Sequence, residues 1–367
     1  MTLAQNKISV APRSLAQISL AHLDRMTDST GLIQHAIHTL PRRDSGYTTD
    51  DNARALRLCV RLWEQQPDEA MLGRVTTYLS FLEHARGIGR GFHNFMSYDR
   101  RWLDLEGCGD SQGQAILALA EVLGSSLPDG YRALARELID AAMPTIANLR
   151  SLRAQSYVIL AYGHLWATGV EGIEPLEAVA WSFAERLLEC YGRAVRPAWH
   201  WFESRMTYAN AVLPHALFVA AKRWPSEKFL DVAQASFKFL DDVTTVDDVF
   251  WPIGNEGWFA RGEERAAYDQ QPVEAVTMAE TALVAFDILG DEKCLATFRR
   301  AHAWFHGRNG LKLPIADVRT GGCCDGLQIT GLNRNQGAES TFAYLWTEMS
   351  SREIPASQNE DVKVVAL

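Results

Sequence analysis

The sequence predicts an all-α protein with a closed (α/α)6 barrel, in which an inner ring of six helices lies inside an outer ring of six. Apolar residues recur at helical spacing through most of the 367 residues, whereas the alternating Val, Ile and Thr patterns of strands are few and short. The predicted helices are either apolar on all sides, which is typical of buried helices, or amphipathic, which is typical of helices that face solvent. Alternation of these two kinds along the chain predicts two concentric rings.

Each kind of helix is predicted six times. The apolar helices, expected in the inner ring, span residues 51–63, 111–124, 151–167, 205–222, 272–289 and 337–348. The amphipathic helices, expected in the outer ring, span residues 14–26, 71–86, 129–147, 174–191, 226–241 and 292–307. The inner helices begin about 40 to 65 residues apart, which is too irregular for an open solenoid of near-identical repeats. We therefore predict one toroid domain over residues 1–350, followed by a flexible C-terminal tail over 351–367.

Composition and charge exclude several classes of function. The chain carries 36 Lys and Arg against 45 Asp and Glu, a net charge of −9, and it has no basic stripe that could neutralise phosphates. We therefore expect no nucleic-acid partner and no binding to anionic membranes. No stretch approaches the roughly 20 apolar residues of a membrane span. Because the N-terminal residues lack a secretory pattern and the six cysteines are scattered, a cytoplasmic location is expected.

Four long connections precede predicted inner helices, at residues 87–110, 192–204, 242–271 and 308–336. They contain Gly, Trp, Asn and Asp rather than the composition of simple linkers. Loops of this length in a compact domain are usually functional. We expect them to gather around the mouth of the central cavity.

Five carboxylates at or near the beginnings of predicted inner helices are the candidate catalytic groups: Asp50, Asp51, Asp110, Glu203 and Glu339. Side chains at these positions are expected to point into the mouth of the barrel. Carboxylates at a helix N-terminus also cap the helix and complement its dipole, and that structural role is the alternative for each of them. Glycoside hydrolysis requires two carboxylates, one as acid and one as base or nucleophile, and the sequence leaves the assignment open.

Aromatic and polar residues surround these carboxylates in a pattern that suits a sugar. Aromatic rings stack on the C–H face of a pyranose, and planar polar groups bond its hydroxyl groups. A dry Trp neighbourhood would also raise the pKa of Glu203, whereas the alternative is a buried Trp cluster with Glu203 paired to Arg196 or Arg205. The candidate substrate-binding residues are Tyr47, Asn52, Arg54, His93, Trp199, Trp201, Tyr208, Asn210, Trp251, Trp258, Glu274, Asp325, Asn333 and Asn335.

Motifs for other chemistries are absent from the sequence. There is no P-loop, no G-x-G-x-x-G after a strand, no G-x-S-x-G and no H-E-x-x-H. No His follows Cys323 or Cys324 at the spacing of a zinc site. We expect the ten histidines to be packed or solvated, and we predict no metal site and no cofactor.

Several motifs together resemble one family. They are Y-T-T-D-D-N-A-R-A-L, G-D-S-Q-G-Q-A, W-H-W-F-E-S-R-M-T-Y-A-N-A-V-L-P-H-A-L, Q-P-V-E-A, W-F-H-G-R-N and G-G-C-C-D-G-L-x7-N-x-G-A-E-S-T. Over residues 45–346 the chain resembles glycosidase-like (α/α)6-toroid proteins of bacteria and archaea, which stand alone or follow a glycosyltransferase domain. The resemblance implies the toroid fold, a role in glycan metabolism and a glycosyltransferase as a candidate partner. The chain departs from the family pattern at Ala209 and Val212, where relatives have Asp and Arg, and this argues against catalysis at the fourth inner helix.

The leading functional hypothesis is a carbohydrate-active enzyme, a glycoside hydrolase acting on an oligo- or polysaccharide. A sugar epimerase is the second hypothesis, with His93, His200 or His215 supplying a pair that moves the proton. The third is a non-catalytic glycan-binding partner of a glycosyltransferase. Terpenoid cyclases also use double helical rings, but D-D-N-A-R lacks the third Asp of a magnesium-binding D-D-x-x-D motif.

Overall fold

Twelve α-helices dominate the computed structural model, which describes residues 18–87, 89 and 91–354. In chain order they are α1 (Ala21–Met26), α2 (Thr49–Gln65), α3 (Glu69–His84), α4 (Gly109–Leu123), α5 (Asp129–Ile146), α6 (Leu152–Ala167), α7 (Glu174–Ala194), α8 (Val212–Arg223), α9 (Glu227–Thr244), α10 (Pro272–Leu289), α11 (Glu292–Phe305) and α12 (Ala338–Glu353).

The even-numbered helices form a closed inner ring. Each packs against the next in the order α2, α4, α6, α8, α10 and α12, and α12 packs against α2 to close the circle. The helices α3, α5, α7, α9 and α11 each pack outside the inner helix that precedes them, and the short α1 packs against α12. The predicted (α/α)6 barrel is therefore confirmed.

Small residues allow the inner helices to approach closely. The α4 segment A-I-L-A-L-A is buried on every side, as the absence of a polar face predicts. Gly113 of α4 lies directly against α6, and an added Cβ would come within 2.9 Å of the Ala154 carbonyl oxygen. A larger residue at position 113 would push the two helices apart, so this glycine sets the spacing of the ring.

Seven two-stranded antiparallel sheets occur in the connections between the described helices. The pairs are β1 (Ala36–Ile37) with β2 (Leu40–Pro41), β3 (Tyr47–Thr48) with β6 (Phe95–Met96), β4 (Arg86–Gly87) with β5 (Gly91–Phe92), β7 (Arg205–Met206) with β10 (Phe259–Ala260), β8 (Thr245–Val246) with β9 (Val249–Phe250), β11 (Ala316–Asp317) with β12 (Gly322–Cys323), and β13 (Gly326–Gln328) with β14 (Gly331–Asn333). The β3–β6 and β7–β10 pairs join connections that are distant in sequence, and they brace the segments that lead into α2 and α8.

Two boundaries of the inner helices differ clearly from the prediction. The fourth inner helix begins at Val212 instead of residue 205, because Arg205 and Met206 pair with β10 and Ala209 has a positive φ of 44° that a helix does not allow. The last helix continues to Glu353, so the predicted tail begins inside its final turn. Residues 1–17 and 355–367, which include most of that tail and part of the first predicted helix, lie outside the described residues.

Within the part of the chain that the structure describes, none of the helices combines the length and the apolar character needed to cross a bilayer.

Candidate functional site at the mouth of the barrel

A buried arginine gathers three of the five candidate carboxylates. The Arg54 Nη1 atom on α2 lies 2.8 Å from Asp51 Oδ1 and 3.5 Å from Asp50 Oδ2. Its Nη2 atom lies 2.9 Å from Glu339 Oε2 on α12, across the seam where the ring closes. We call these four residues the Arg54 cluster. Arg54, predicted to bind substrate, thus lies at the centre of an ion-pair network.

The Arg54 cluster has more negative than positive charge. Burial, reinforced by the charge of Asp50, raises the pKa of Asp51 to about 7 despite the nearby arginine. Burial also raises the pKa of Glu339, but 37% of this side chain is exposed, so solvent moderates the shift. One arginine therefore does not neutralise three carboxylates, and the cluster can hold a proton near neutral pH.

Local capping fixes the two aspartates at the start of α2. The Thr48 hydroxyl accepts a hydrogen bond from the backbone N–H of Asp51 and donates one to Asp51 Oδ2 at 2.8 Å. The Asn94 side chain, from the next connection, accepts the backbone N–H of Asp50 at 3.3 Å. Asp50 Oδ1 also accepts the backbone N–H of Asp51 at 3.1 Å, so Asp50 takes part in capping α2. Its other oxygen, Oδ2, and the Asp51 carboxylate face Arg54.

Asn52 and Tyr47, predicted to bind substrate, are buried instead. Asn52 accepts the backbone N–H of Leu32 at 2.8 Å and donates to the carbonyl of Thr48 at 2.8 Å. The Tyr47 hydroxyl donates to Asp28 at 2.7 Å. These bonds hold the loop before α2, and they correct the prediction of a direct sugar contact, because both side chains are packed away from solvent.

Asp110, in the first turn of α4, is held by hydroxyl groups. Its Oδ1 atom accepts a hydrogen bond from the Ser151 hydroxyl at 3.0 Å, and its Oδ2 atom accepts one from the Tyr208 hydroxyl. Tyr208 is 39% exposed, and its ring centroid lies 6.3 Å from that of Trp258. The pair of rings forms an aromatic wall beside the carboxylate, which is the arrangement expected of a sugar site.

Arg153 on α6 joins Glu203 to this aromatic wall. Its Nη1 atom pairs with Glu203 Oε2 at 3.1 Å, its Nε donates to the Tyr208 carbonyl, and its guanidinium lies 4.8 Å above the Tyr208 ring. The partner of Glu203 is thus neither Arg196 nor Arg205. Because 37% of the Glu203 side chain is exposed, the dry Trp neighbourhood predicted for it does not form.

Glu274 holds the non-helical segment that carries Tyr208. Its carboxylate accepts the backbone N–H of Ala209 and the side-chain N–H of Asn210, the latter at 3.0 Å. Burial raises the pKa of Glu274 to about 7, although these hydrogen bonds oppose the shift. Asn210 and Glu274, predicted to bind substrate, are both buried. Their contacts indicate that they position the segment instead.

Trp199 and Trp201 do not line the cleft as predicted. Trp199 packs edge-on against Phe239, and its indole N–H donates to the Glu203 carbonyl at 2.8 Å. Trp201 is fully buried beside Phe202. Neither indole face is available to a sugar, because both rings are buried against neighbouring aromatic side chains.

Trp251 and His93 are also engaged by neighbouring residues. The Trp251 indole N–H donates to a backbone carbonyl at 2.8 Å, and its ring packs against the Cα of Gly310, where an added Cβ would lie 2.5 Å away. The His93 Nδ1 atom lies 2.9 Å from the Asp104 carbonyl, and the ring stacks on an indole with centroids 5.0 Å apart. Their sugar contacts stay predictions.

Asp325 caps the last inner helix. Its Oδ1 atom accepts the backbone N–H of Gly337 and the Ser340 hydroxyl, each at 2.8 Å. Asn333 accepts the backbone N–H of Asn335 at 3.3 Å, and Asn335 accepts a backbone N–H from the loop after α1 at 3.0 Å. All three predicted substrate-binding residues thus shape the connection that presents Glu339.

Three residues on or beside α6 contribute to the site and were not predicted from the sequence. Arg153 binds Glu203, Ser151 binds Asp110, and the buried Tyr157 lies within electrostatic range of both Arg54 and Asp110. Helix α6 has no acidic residue in its first turn, so a search for carboxylates passes over it. Arg153, a charged residue at the start of an otherwise apolar helix, is the sequence feature that could have indicated this part of the site.

The histidines proposed for epimerisation do not form a pair. His93 stacks on an indole, His200 lies 3.3 Å from the Tyr191 hydroxyl, and the partly buried His215 lies near Glu280. Burial lowers the pKa of His215 to about 4. Each of the three has its own separate surroundings.

The sequence matches no family model, and no curated protein matches it. Solved structures do resemble it. A sugar epimerase from a ruminal bacterium is 13% identical over 90% of this chain and 95% of that chain, with a TM-score of 0.69. A cellobiose 2-epimerase from Bacillus thermoamylovorans is 13% identical over 90% and 96%, with a TM-score of 0.69. A GH76 α-mannanase from Bacteroides thetaiotaomicron is 9% identical over 92% and 93%, with a TM-score of 0.62. The chain therefore has the (α/α)6 toroid fold found in sugar epimerases and GH76 mannanases.

Proposed function

We propose that the protein is a carbohydrate-active enzyme, a glycoside hydrolase that cleaves an oligo- or polysaccharide at the mouth of the barrel. The observation that carries this proposal is the difference between two carboxylate environments. The Arg54 cluster holds more carboxylates than one arginine can neutralise. Asp110 instead accepts hydrogen bonds from Ser151 and Tyr208. An acid and a base in unlike environments are what glycoside hydrolysis requires.

Exposure supports a division of roles between the two groups. Glu339 is the most exposed carboxylate of the Arg54 cluster, and burial raises its pKa, so it suits the general acid. Asp51 lies buried behind it and shares the same arginine. Asp110 suits the base or nucleophile, since two hydroxyl groups orient it. Helices α4 and α12 flank α2 in the ring, which places Asp110 and Glu339 on either side of Arg54.

The aromatic wall gives the substrate class. The exposed Tyr208 beside Asp110 and the partly buried Trp258 next to it offer apolar ring faces, and sugars combine apolar C–H faces with hydroxyl groups. The structural neighbours are named for α-mannan and cellobiose. These two carbohydrates are therefore the first substrates to test.

The other two functions considered from the sequence each have an observation in their favour. Asp51, Glu339 and Glu203 are all paired with arginine, which is compatible with a cleft that binds a glycan without cleaving it. Two of the structural neighbours are named as sugar epimerases. An epimerase would here need a proton-moving pair other than His93, His200 and His215.

The test is an activity assay with product analysis. Purified protein is incubated with α-mannan oligosaccharides and with cellobiose, and new reducing ends and epimers are measured by chromatography and NMR. We expect hydrolysis, with kcat reduced by about 10²–10⁴-fold in Asp110→Asn and in Glu339→Gln. Asp24→Asn is the control, because Asp24 pairs with Arg74 outside the mouth.

Each other outcome has a definite meaning. Hydrolysis at the wild-type rate in both Asp110→Asn and Glu339→Gln would overturn the assignment of acid and base. An epimer formed without cleavage would favour the epimerase, and saturable binding of the glycan without any product would favour the binding module.

We also propose a cytoplasmic location and a glycosyltransferase as a partner. The six cysteines all lie in the described part of the chain, and all of them are free thiols, which suits a reducing compartment. The proposal of a glycosyltransferase partner rests on the sequence resemblance alone. Fractionation of cells tests the location, and co-purification of the tagged protein with a glycosyltransferase tests the partner.

A further inference from the structure

A second cluster of chemically active side chains lies away from the mouth, between α11 and α12. His302 lies in the last turn of α11 and His306 is the C-cap residue directly after it, so the two histidines are four residues apart on one side of the helix end. Glu348 reaches the same place from α12. Two histidines and a carboxylate meeting in this way were not expected from the sequence.

The three side chains aim one atom each at a common point. The Glu348 Oε2 atom lies 2.9 Å from His302 Nε2 and 3.3 Å from His306 Nε2, and the two ring nitrogens are 3.3 Å apart. A circle through these atoms has a radius of about 1.8 Å, slightly less than the ~2.0–2.1 Å bonds that Zn²⁺ forms with nitrogen and oxygen. An ion bonded to all three would lie just above their plane, as a tetrahedral site with a fourth position requires.

The surroundings prepare these groups to act as ligands. Arg352 binds the other Glu348 oxygen, Oε1, at 2.9 Å, which fixes the carboxylate and leaves Oε2 free to face the rings. A carboxylate and neutral imidazoles are the forms that bind metals.

The exposed fractions of the three side chains indicate the side from which an ion would enter. The His302 and Glu348 side chains are 6% and 14% exposed, whereas the His306 side chain is 22% exposed. Solvent therefore reaches the cluster from the side of His306. The C-terminal end of α11, which carries His302 and His306, also favours a positive charge through the helix dipole.

We propose that His302, His306 and Glu348 bind one Zn²⁺ ion, with a water molecule at the fourth position on the side of His306. The ion ties the outer helix α11 to the inner helix α12. It acts as a structural link, since its ligands are separate from the carboxylates of the mouth. The competing explanation is that the three side chains share only hydrogen bonds.

The experiment uses the full chain after removal of metals with EDTA and dialysis. Zn²⁺ is titrated by calorimetry, and Co²⁺ is added in parallel because its visible absorption distinguishes tetrahedral from octahedral coordination. The variants are His306→Gln and Glu348→Gln. His84→Gln is the matched control, since His84 is an exposed histidine in the last turn of another outer helix, α3.

We expect one Zn²⁺ per chain, a tetrahedral Co²⁺ spectrum and a higher thermal midpoint with Zn²⁺ for wild type and for His84→Gln. Each ligand variant should bind Zn²⁺ roughly 100-fold more weakly or not at all. Circular dichroism of the metal-free variants shows whether they are folded, and the wild-type Co²⁺ spectrum does not depend on them. An octahedral Co²⁺ spectrum, no Zn²⁺ uptake by wild type, or full binding by both ligand variants would each overturn the proposal.

Discussion

Replacing Arg54 by methionine tests whether the Arg54 cluster is coupled through charge. The arginine is buried and lies within 2.8 Å of Asp51 and 2.9 Å of Glu339, with Asp50 at 3.5 Å. Methionine fills a similar volume but removes the single positive charge. Removal of one partner from a buried ion pair costs about 3–5 kcal/mol, because the remaining charge is left without compensation. We expect a loss of this size at pH 8, where the carboxyl groups are ionised.

The free-energy cost of Arg54→Met should also depend on pH, and the raised pKa of Asp51 determines the direction. The pKa of Asp51 is raised in the folded protein to about 7, so between about pH 4 and 7 the folded state keeps a proton that the unfolded state has lost. The free energy of unfolding therefore falls as pH rises through this window. Without Arg54 the carboxyl groups hold protons more tightly, so the cost of Arg54→Met should be smaller at pH 5 than at pH 8.

Urea unfolding at pH 5 and pH 8, followed by both fluorescence and circular dichroism, measures these differences. The control is Arg74→Met, because Arg74 pairs at 2.7 Å with the half-exposed Asp24, and such surface pairs contribute about 0–1 kcal/mol. If Arg54→Met costs no more than Arg74→Met at pH 8, or costs the same at both pH values, the three carboxylates are not held by a shared charge and the reasoning fails.

Three further variants test single features. Asp51→Asn removes the carboxyl group whose pKa burial raises to about 7. Unfolding free energies measured from pH 4 to 7 should therefore vary less with pH than in wild type. The same dependence on pH as in wild type would contradict the raised pKa of Asp51. Tyr208→Phe removes the hydroxyl that donates to Asp110. It should lower kcat/KM about 10-fold or more in the hydrolysis assay, since a hydrogen bond to a charged group contributes about 1.5–3 kcal/mol. A kcat/KM equal to that of wild type would show that this hydroxyl is not needed. Gly254→Ala would place a Cβ onto a neighbouring backbone carbonyl and should cost about 1–3 kcal/mol by thermal unfolding, whereas Gly130→Ala, which meets no neighbour, should not.

The contacts that hold the ring together link parts of the chain that are far apart in sequence. Arg54 and Glu339 come from the first and last inner helices, and Asp110 meets Tyr208 from a segment about a hundred residues later. Stability of the mouth therefore depends on closure of the whole barrel. Opening the seam between α2 and α12 would separate Glu339 from the arginine it shares with Asp51.

The sequence by itself determined the two classes of helix and the ring they build, because the apolar spacing that specifies a helix is a local property. The same local signal located Asp50, Asp51, Asp110 and Glu339 near the beginnings of inner helices. It did not reveal that Asn94 and Asp325 help to hold the starts of α2 and α12, because a side chain from another segment can satisfy a helix N-terminus as well as a local one.

Only the tertiary structure decided which side chains face the mouth and which pairs share a charge. Trp201 and Tyr208 lie in the same motif, yet the first is buried and the second is 39% exposed, because the β7–β10 pairing delays the start of α8 and turns the segment before it. His302 and His306 acquired their common partner, Glu348, only when α12 packed against α11. Charge and burial depend on neighbours from the entire ring, and no stretch of sequence contains them.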